Sequence, residues 1–136
     1  MNALIVDDEK PARDELRYLL RQHPDIRIVA EADSLYHARK ALKEHQIGLV
    51  FLDIHMCGED GFEVLPSLPP GARVIIVSAD DSQALRAIRS NVVDYILKPV
   101  ERQALAEALL RLNPASRPAA APAVPPKSDS APTRPR

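Results

Sequence analysis

Gly48-Leu49-Val50-Phe51-Leu52-Asp53 is a short apolar, β-prone run that stops on a carboxylate, and Ala3-Leu4-Ile5-Val6-Asp7-Asp8 repeats the pattern with an acidic pair. Continuous apolar runs of this length fit strands buried on both faces, as in a parallel sheet. If the two strands are neighbours, three carboxylates meet at one rim of that sheet. Like charges so close are unfavourable unless a cation sits among them. A small hard cation such as Mg²⁺, which takes carboxylate, carbonyl and water oxygens, meets that need.

Outward from these two runs the chain alternates. Strands are predicted at 3–7, 26–31, 48–52, 72–77 and 94–97, and helices at 11–22, 34–45, 60–67, 82–89 and 101–112. In the first helix Ala12, Leu16, Leu19 and Leu20 share a face, and Pro11 suits the first turn. In the second, Asp33 or Ser34 can cap the start, with Leu35, Ala38, Leu42 and His45 along one stripe. The last places Leu105, Leu109 and Leu112 at helical spacing. Alternating βα units imply an α/β fold: a doubly wound, five-stranded parallel sheet with helices on both faces. Such sheets bind ligands outside the carboxyl ends of their strands. Asp7, Asp8, Asp53, Ser78 and Lys98 all fall at or just past a predicted strand end.

The 136 residues divide by composition into a domain, 1–112, and a segment, 113–136. The domain carries 14 Lys/Arg against 18 Asp/Glu, a net of −4, so it has no electrostatic reason to bind nucleic acid by itself. In the last 24 residues 13 are Pro or Ala and the net charge is +3, the composition of a flexible tail or interdomain linker. Cys57 is the one cysteine, which excludes an internal disulfide and makes a reducing, cytoplasmic setting the expectation. No apolar stretch reaches membrane-spanning length and no secretion leader is expected.

Five elements in order resemble a bacterial two-component response-regulator receiver domain. They are Val6-Asp7-Asp8-Glu9, Leu52-Asp53-Ile54-His55-Met56, Gly61 eight residues past Asp53, Val77-Ser78-Ala79, and Asp94-Tyr95-Ile96-Leu97-Lys98-Pro99. The resemblance implies the flavodoxin-like strand order 2-1-3-4-5 and a phosphoryl group accepted by Asp53 from a sensor histidine kinase. It implies Mg²⁺ held by Asp8, Asp53 and the His55 backbone carbonyl, with Asp7 reaching it through water. Lys98 and Ser78 would support the transfer, Ser78 and Tyr95 would form the switch, and the Lys98–Pro99 peptide would be cis. Residues 7–16, Asp-Asp-Glu-Lys-Pro-Ala-Arg-Asp-Glu-Leu, resemble the branch that precedes LytTR-type DNA-binding domains. That likeness implies transcription regulation through a domain outside this chain, and a homodimer through the fourth-helix, fifth-strand, fifth-helix face. An enzyme acting on an external substrate is not expected; self-catalysed phosphorylation and dephosphorylation are the most the resemblance implies. One position departs from the pattern, with Cys57 where the family usually has proline, and the expected effect is on loop stiffness.

Taken singly, these residues have plainer readings. Asp53 alone would be a helix cap or turn residue, Lys98 a solvated charge, Ser78 a cap and Tyr95 a half-buried core aromatic. Their common position at strand ends favours the functional reading. A phosphohydrolase of the haloacid-dehalogenase type would need an acid two residues past its nucleophile, where this chain has His55. Dinucleotide binding lacks its glycine-rich turn. A stand-alone or degenerate receiver serving only as a protein-interaction module stays open.

Overall fold

Asn2–Val6 forms β1 because Ala3, Leu4, Ile5 and Val6 have nowhere polar to face: all four are buried. In the computed structural model, which describes residues 1–112, this strand is flanked on both sides. The expected tail, 113–136, lies outside the described residues. The elements that follow β1 are α1 (Lys10–Leu20), β2 (Arg27–Ala32), α2 (Leu35–Glu44) and β3 (Leu49–Leu52). After β3 come a short hairpin of β4 (His55–Met56) and β5 (Glu59–Asp60), and a 3-10 segment, Gly61–Ser67. The chain continues through β6 (Arg73–Ser78), α3 (Ala84–Arg89), β7 (Asp94–Leu97) and α4 (Arg102–Leu110).

The main sheet has the order β2-β1-β3-β6-β7, all parallel, which is the expected 2-1-3-4-5 once the hairpin strands are set aside. Alternate residues sort the core into two layers. Leu4, Val6, Val50, Leu52, Val74 and Ile76 face α2, the 3-10 segment and α3. Ala3, Ile5, Leu49, Phe51, Ile75 and Val77 face α1 and α4. The register sets Val6 beside Leu52, Leu52 beside Ile76 and Ile76 beside Tyr95, so the carboxyl ends of four strands form one edge.

Three local readings differ from the structure. Residues 60–67 were expected as an α-helix but form a 3-10 segment over Gly61–Ser67. Pro66 lacks the N–H that an α-helical turn needs and biases Leu65 away from helical backbone. The fourth predicted helix shrinks to Ala84–Arg89, since Asp80 ties up Ser82 in a turn before it and Asn91, at φ 63°, ends it. His45 is exposed and caps α2 rather than joining its buried stripe. The β4–β5 hairpin had no counterpart in the periodicity, because two-residue strands are too short to show one. Lys98–Pro99 is cis, as expected. Among the described residues no helix is long and apolar enough to cross a membrane.

Candidate functional site

Asp7 and Asp8 follow β1, Asp53 follows β3 and Lys98 follows β7, so sheet order alone brings them to one rim. One carboxylate oxygen from each of Asp7, Asp8 and Asp53 lies within 4.8 Å of the others. Asp7 and Asp53 are 5% and 4% exposed, while Asp8 is half-buried. The Lys98 Nζ donates to Asp7 Oδ2 at 2.8 Å and to Asp53 Oδ2 at 3.1 Å. It is the cation that makes the burial of these two acids tolerable.

Each carboxylate is also held by a main-chain N–H. Asp7 Oδ1 accepts from Glu9 at 2.9 Å, Asp53 Oδ1 from His55 at 2.9 Å, and Asp8 Oδ2 from Cys57 at 2.7 Å. Burial pushes the Asp53 carboxyl above its ordinary pKa, and the His55 N–H and the Lys98 ammonium only partly offset it. For Lys98 burial acts downward, yet the hydrogen bond to Asp7 and the charge of Asp53 outweigh it, and its pKa is raised. An all-oxygen donor set with three negative charges against one ammonium fits a hard divalent cation rather than a soft metal. The rim opens into a cleft of about 790 Å³ bordered by Asp8, Asp53, His55, Cys57, Gln83, Arg86 and Lys98.

The remaining predicted residues lie nearby with partners of their own. Ser78 is fully buried at the end of β6, opposite Leu97, and its Oγ accepts from the Asp80 N–H at 3.5 Å. Tyr95 packs against the layer of α2 and α3, and its hydroxyl donates to the Asp80 carbonyl at 2.7 Å. The His55 ring is exposed, with Nε2 3.3 Å from Asp80 Oδ1. Asp80 thus gathers Ser78, Tyr95 and His55 onto one loop.

Three contributors escaped the sequence. Arg13 Nη1 donates to the Asp7 carbonyl at 2.7 Å while its Nε donates to Glu31 Oε1 at 3.2 Å, fixing the turn that carries the acidic pair. The His55 N–H serves the site, where the resemblance implied only its carbonyl. Cys57 brings a donor that proline lacks, which goes beyond the change of stiffness expected of it. The only available signal was the non-proline residue itself.

The fold and this rim define a signalling domain: the chain belongs to the response regulator receiver domain family, which matches residues 3–110. It is 42% identical over 112 residues to the sensory transduction protein LytT of Enterococcus faecalis, an alignment covering 80% of this chain and 46% of that protein. It is also 42% identical over 120 residues to LytR of Streptococcus mutans, covering 82% and 48%. The chain therefore spans about half the length of the curated relatives it matches. Among solved structures, the response regulatory domain of mrkE from Klebsiella pneumoniae superposes with a TM-score of 0.76 at 28% identity, covering 85% of this chain and 98% of that one. The CheX–CheY complex of Borrelia burgdorferi with BeF3 and Mg²⁺ matches with a TM-score of 0.72 at 27% identity, covering 81% and 87%. This is a LytT/LytR-like receiver of a two-component system.

Proposed function

We propose that this receiver is switched by phosphorylation of Asp53. A carboxylate oxygen of Asp53 attacks the phosphorus of a phosphohistidine on a sensor kinase, the P–N bond breaks, and the imidazole leaves with its electron pair and is protonated. The observation that carries this reading is a buried carboxylate at a strand end that accepts from Lys98 at 3.1 Å beside two further acids. Lys98 shields the nucleophile from repulsion by the incoming anion and stays charged through the transfer. The Ser78 hydroxyl, whose oxygen accepts from the Asp80 N–H, keeps its proton for a phosphoryl oxygen, and Tyr95 follows the same loop as the switch side chain.

Asp8, Asp53 and the His55 carbonyl would hold Mg²⁺, with Asp7 acting through water, and the all-oxygen donor set and its excess of negative charge fit that ion. When bound, Mg²⁺ supplies charge neutralisation at the transferring oxygens. Water attack on the acyl phosphate restores Asp53, so the chain is a phosphoacceptor and not an enzyme toward other substrates. The output lies outside it: the LytT and LytR relatives are about twice as long, which supports a separate DNA-binding domain of the LytTR type. Leu85, Ile88 and Leu97, exposed on the α3–β7–α4 face, give that face the apolar character for a homodimer.

Intact-mass measurement after incubation with acetyl phosphate and MgCl2 tests the assignment. One phosphoryl adduct is expected, absent in Asp53→Asn and abolished by chelator. A full adduct on Asp53→Asn would move the acceptor elsewhere.

A further inference from the structure

One short hairpin holds two of the three carboxylates through its main chain. β4 and β5 pair Met56 with Glu59, so Cys57 and Gly58 make the two-residue connection. Gly58 has φ 72°, and among the described residues Asn91 is the only non-glycine at positive φ. Cys57 thus occupies the first central position of a turn whose second is left-handed, the type II pattern. That turn closes through its outer residues and leaves the N–H of its first central residue unused. Here this N–H donates to Asp8 Oδ2 at 2.7 Å, across 49 residues of sequence. Two residues earlier the His55 N–H donates to Asp53 Oδ1 at 2.9 Å.

Resting on the Mg²⁺ reading above, we propose that the main chain of Cys57 is a positioning element that sets this site's cation affinity through Asp8. The N–H occupies one lone pair of Oδ2, fixes the side-chain rotamer, and leaves the remaining acceptor sites of the carboxylate for the ion. Asp8 is half-buried and would otherwise have to be ordered on binding. The donor stands on an anchored frame, because Glu59 Oε1 accepts the Leu35 N–H at 3.0 Å and Asp60 pairs with Arg86 at 2.8 Å. Proline suits the same turn position, with φ near −65°, but has no N–H to give. Replacing Cys57 by proline therefore removes the bond while keeping the turn, and the thiol has no part in it.

The test is a MgCl2 titration of the full chain, of Cys57→Ala and of Cys57→Pro, followed by ¹H–¹⁵N spectra. Cys57→Pro should bind Mg²⁺ roughly tenfold more weakly, the scale of losing a hydrogen bond that orients a ligand. Cys57→Ala, which keeps the N–H, should match the unsubstituted chain. Equal affinities in all three, or equal weakening in both variants, would overturn the proposal and leave the Mg²⁺ reading intact. An unsubstituted chain that does not bind Mg²⁺ would overturn both. A second measurement needs neither metal nor the proline variant: Asp8→Ala should speed amide exchange of Cys57 at least several-fold in metal-free protein. Unchanged exchange there would also overturn the proposal.

Discussion

Gly61→Ala is the substitution whose cost follows most directly from the coordinates. A Cβ at Gly61 would lie 2.4 Å from the Asp53 carbonyl oxygen and 2.7 Å from the Ile54 Cα, where ordinary contact begins at 3.4 Å. Neither atom is the tip of a flexible side chain. Both belong to the main chain that carries Asp53 out of β3, and the Gly61 N–H binds the Ile54 carbonyl at 3.1 Å, so the two segments cannot part cheaply. Overpacking costs about 1–3 kcal/mol, and two backbone clashes place this case near 3 kcal/mol. The reduced freedom of the unfolded alanine chain returns about 0.4–1 kcal/mol. A net loss of about 2 kcal/mol corresponds to a fall of roughly 8 °C in Tm for a domain of this size. Thermal melts by circular dichroism measure it, with Gly48→Ala as control, because a Cβ there meets nothing nearer than 3.6 Å. Phosphorylation from acetyl phosphate should fall as well, since the displaced peptide is the one that aims Asp53. A Gly61→Ala protein melting within about 2 °C of the parent would refute the close-approach reasoning.

Three further outcomes are expected. Lys98→Met strands two buried carboxylates and should cost about 2 kcal/mol, less than the 3–5 kcal/mol of a wholly buried pair because Lys98 keeps 21% exposure; urea unfolding at pH 7 measures it. Asp53→Asn should stabilise the metal-free protein at neutral pH. The folded pKa of Asp53 is raised, so its protonated form is favoured below the unfolded value near 4, and that contribution is lost as pH rises through the folded value. The gain over the parent should therefore be absent well below pH 4 and grow to a plateau above the folded pKa; melts in chelator across pH 3–8 would show a constant difference if the reasoning fails. Mg²⁺ at a hundredfold excess over its Kd should add about 2.7 kcal/mol of stability. Asp8→Ala should lose most of that response, and an undiminished shift would remove Asp8 from the ligand set.

What could be read in advance follows from period and position. Val50, Phe51 and Leu52, all buried, form a run whose length and flanks admit little but a central strand. Once five such runs alternate with amphipathic segments a doubly wound sheet follows, and the strand order that the family resemblance implied carries Asp7, Asp8, Asp53 and Lys98 to one edge. The contributors that stayed hidden act through the main chain. The Cys57 and His55 N–H groups depend on a hairpin of two-residue strands, too short to mark the sequence, and the contact at Gly61 on a 3-10 segment that the periodicity gave as an α-helix. Arg13 stayed hidden for another reason, since an arginine on the first turns of a helix is ordinarily solvated, and only β2 brings Glu31 to its other side.

The same loop ties the rim to the face that would report its state. Asp80 accepts the Tyr95 hydroxyl at its carbonyl, donates its N–H to Ser78, and meets His55 through its carboxylate. Tyr95 lies on β7, within the α3–β7–α4 face, whereas Ser78 ends the strand that leads into the site. A charge change at Asp53 can move that face only through a contact that differs between the two states. Ser78 provides one. Its Oγ accepts the Asp80 N–H at 3.5 Å, a long and weak bond, while the hydroxyl proton would donate to a phosphoryl oxygen. On the proposed reading, drawing Ser78 toward the phosphoryl group would loosen Asp80, and with it the carbonyl that accepts the Tyr95 hydroxyl at 2.7 Å. On the same reading, the burial that raises the Asp53 pKa and the length of the Ser78–Asp80 bond act in one direction: the site holds charge at a cost, and phosphorylation would exchange that cost for a rearranged loop.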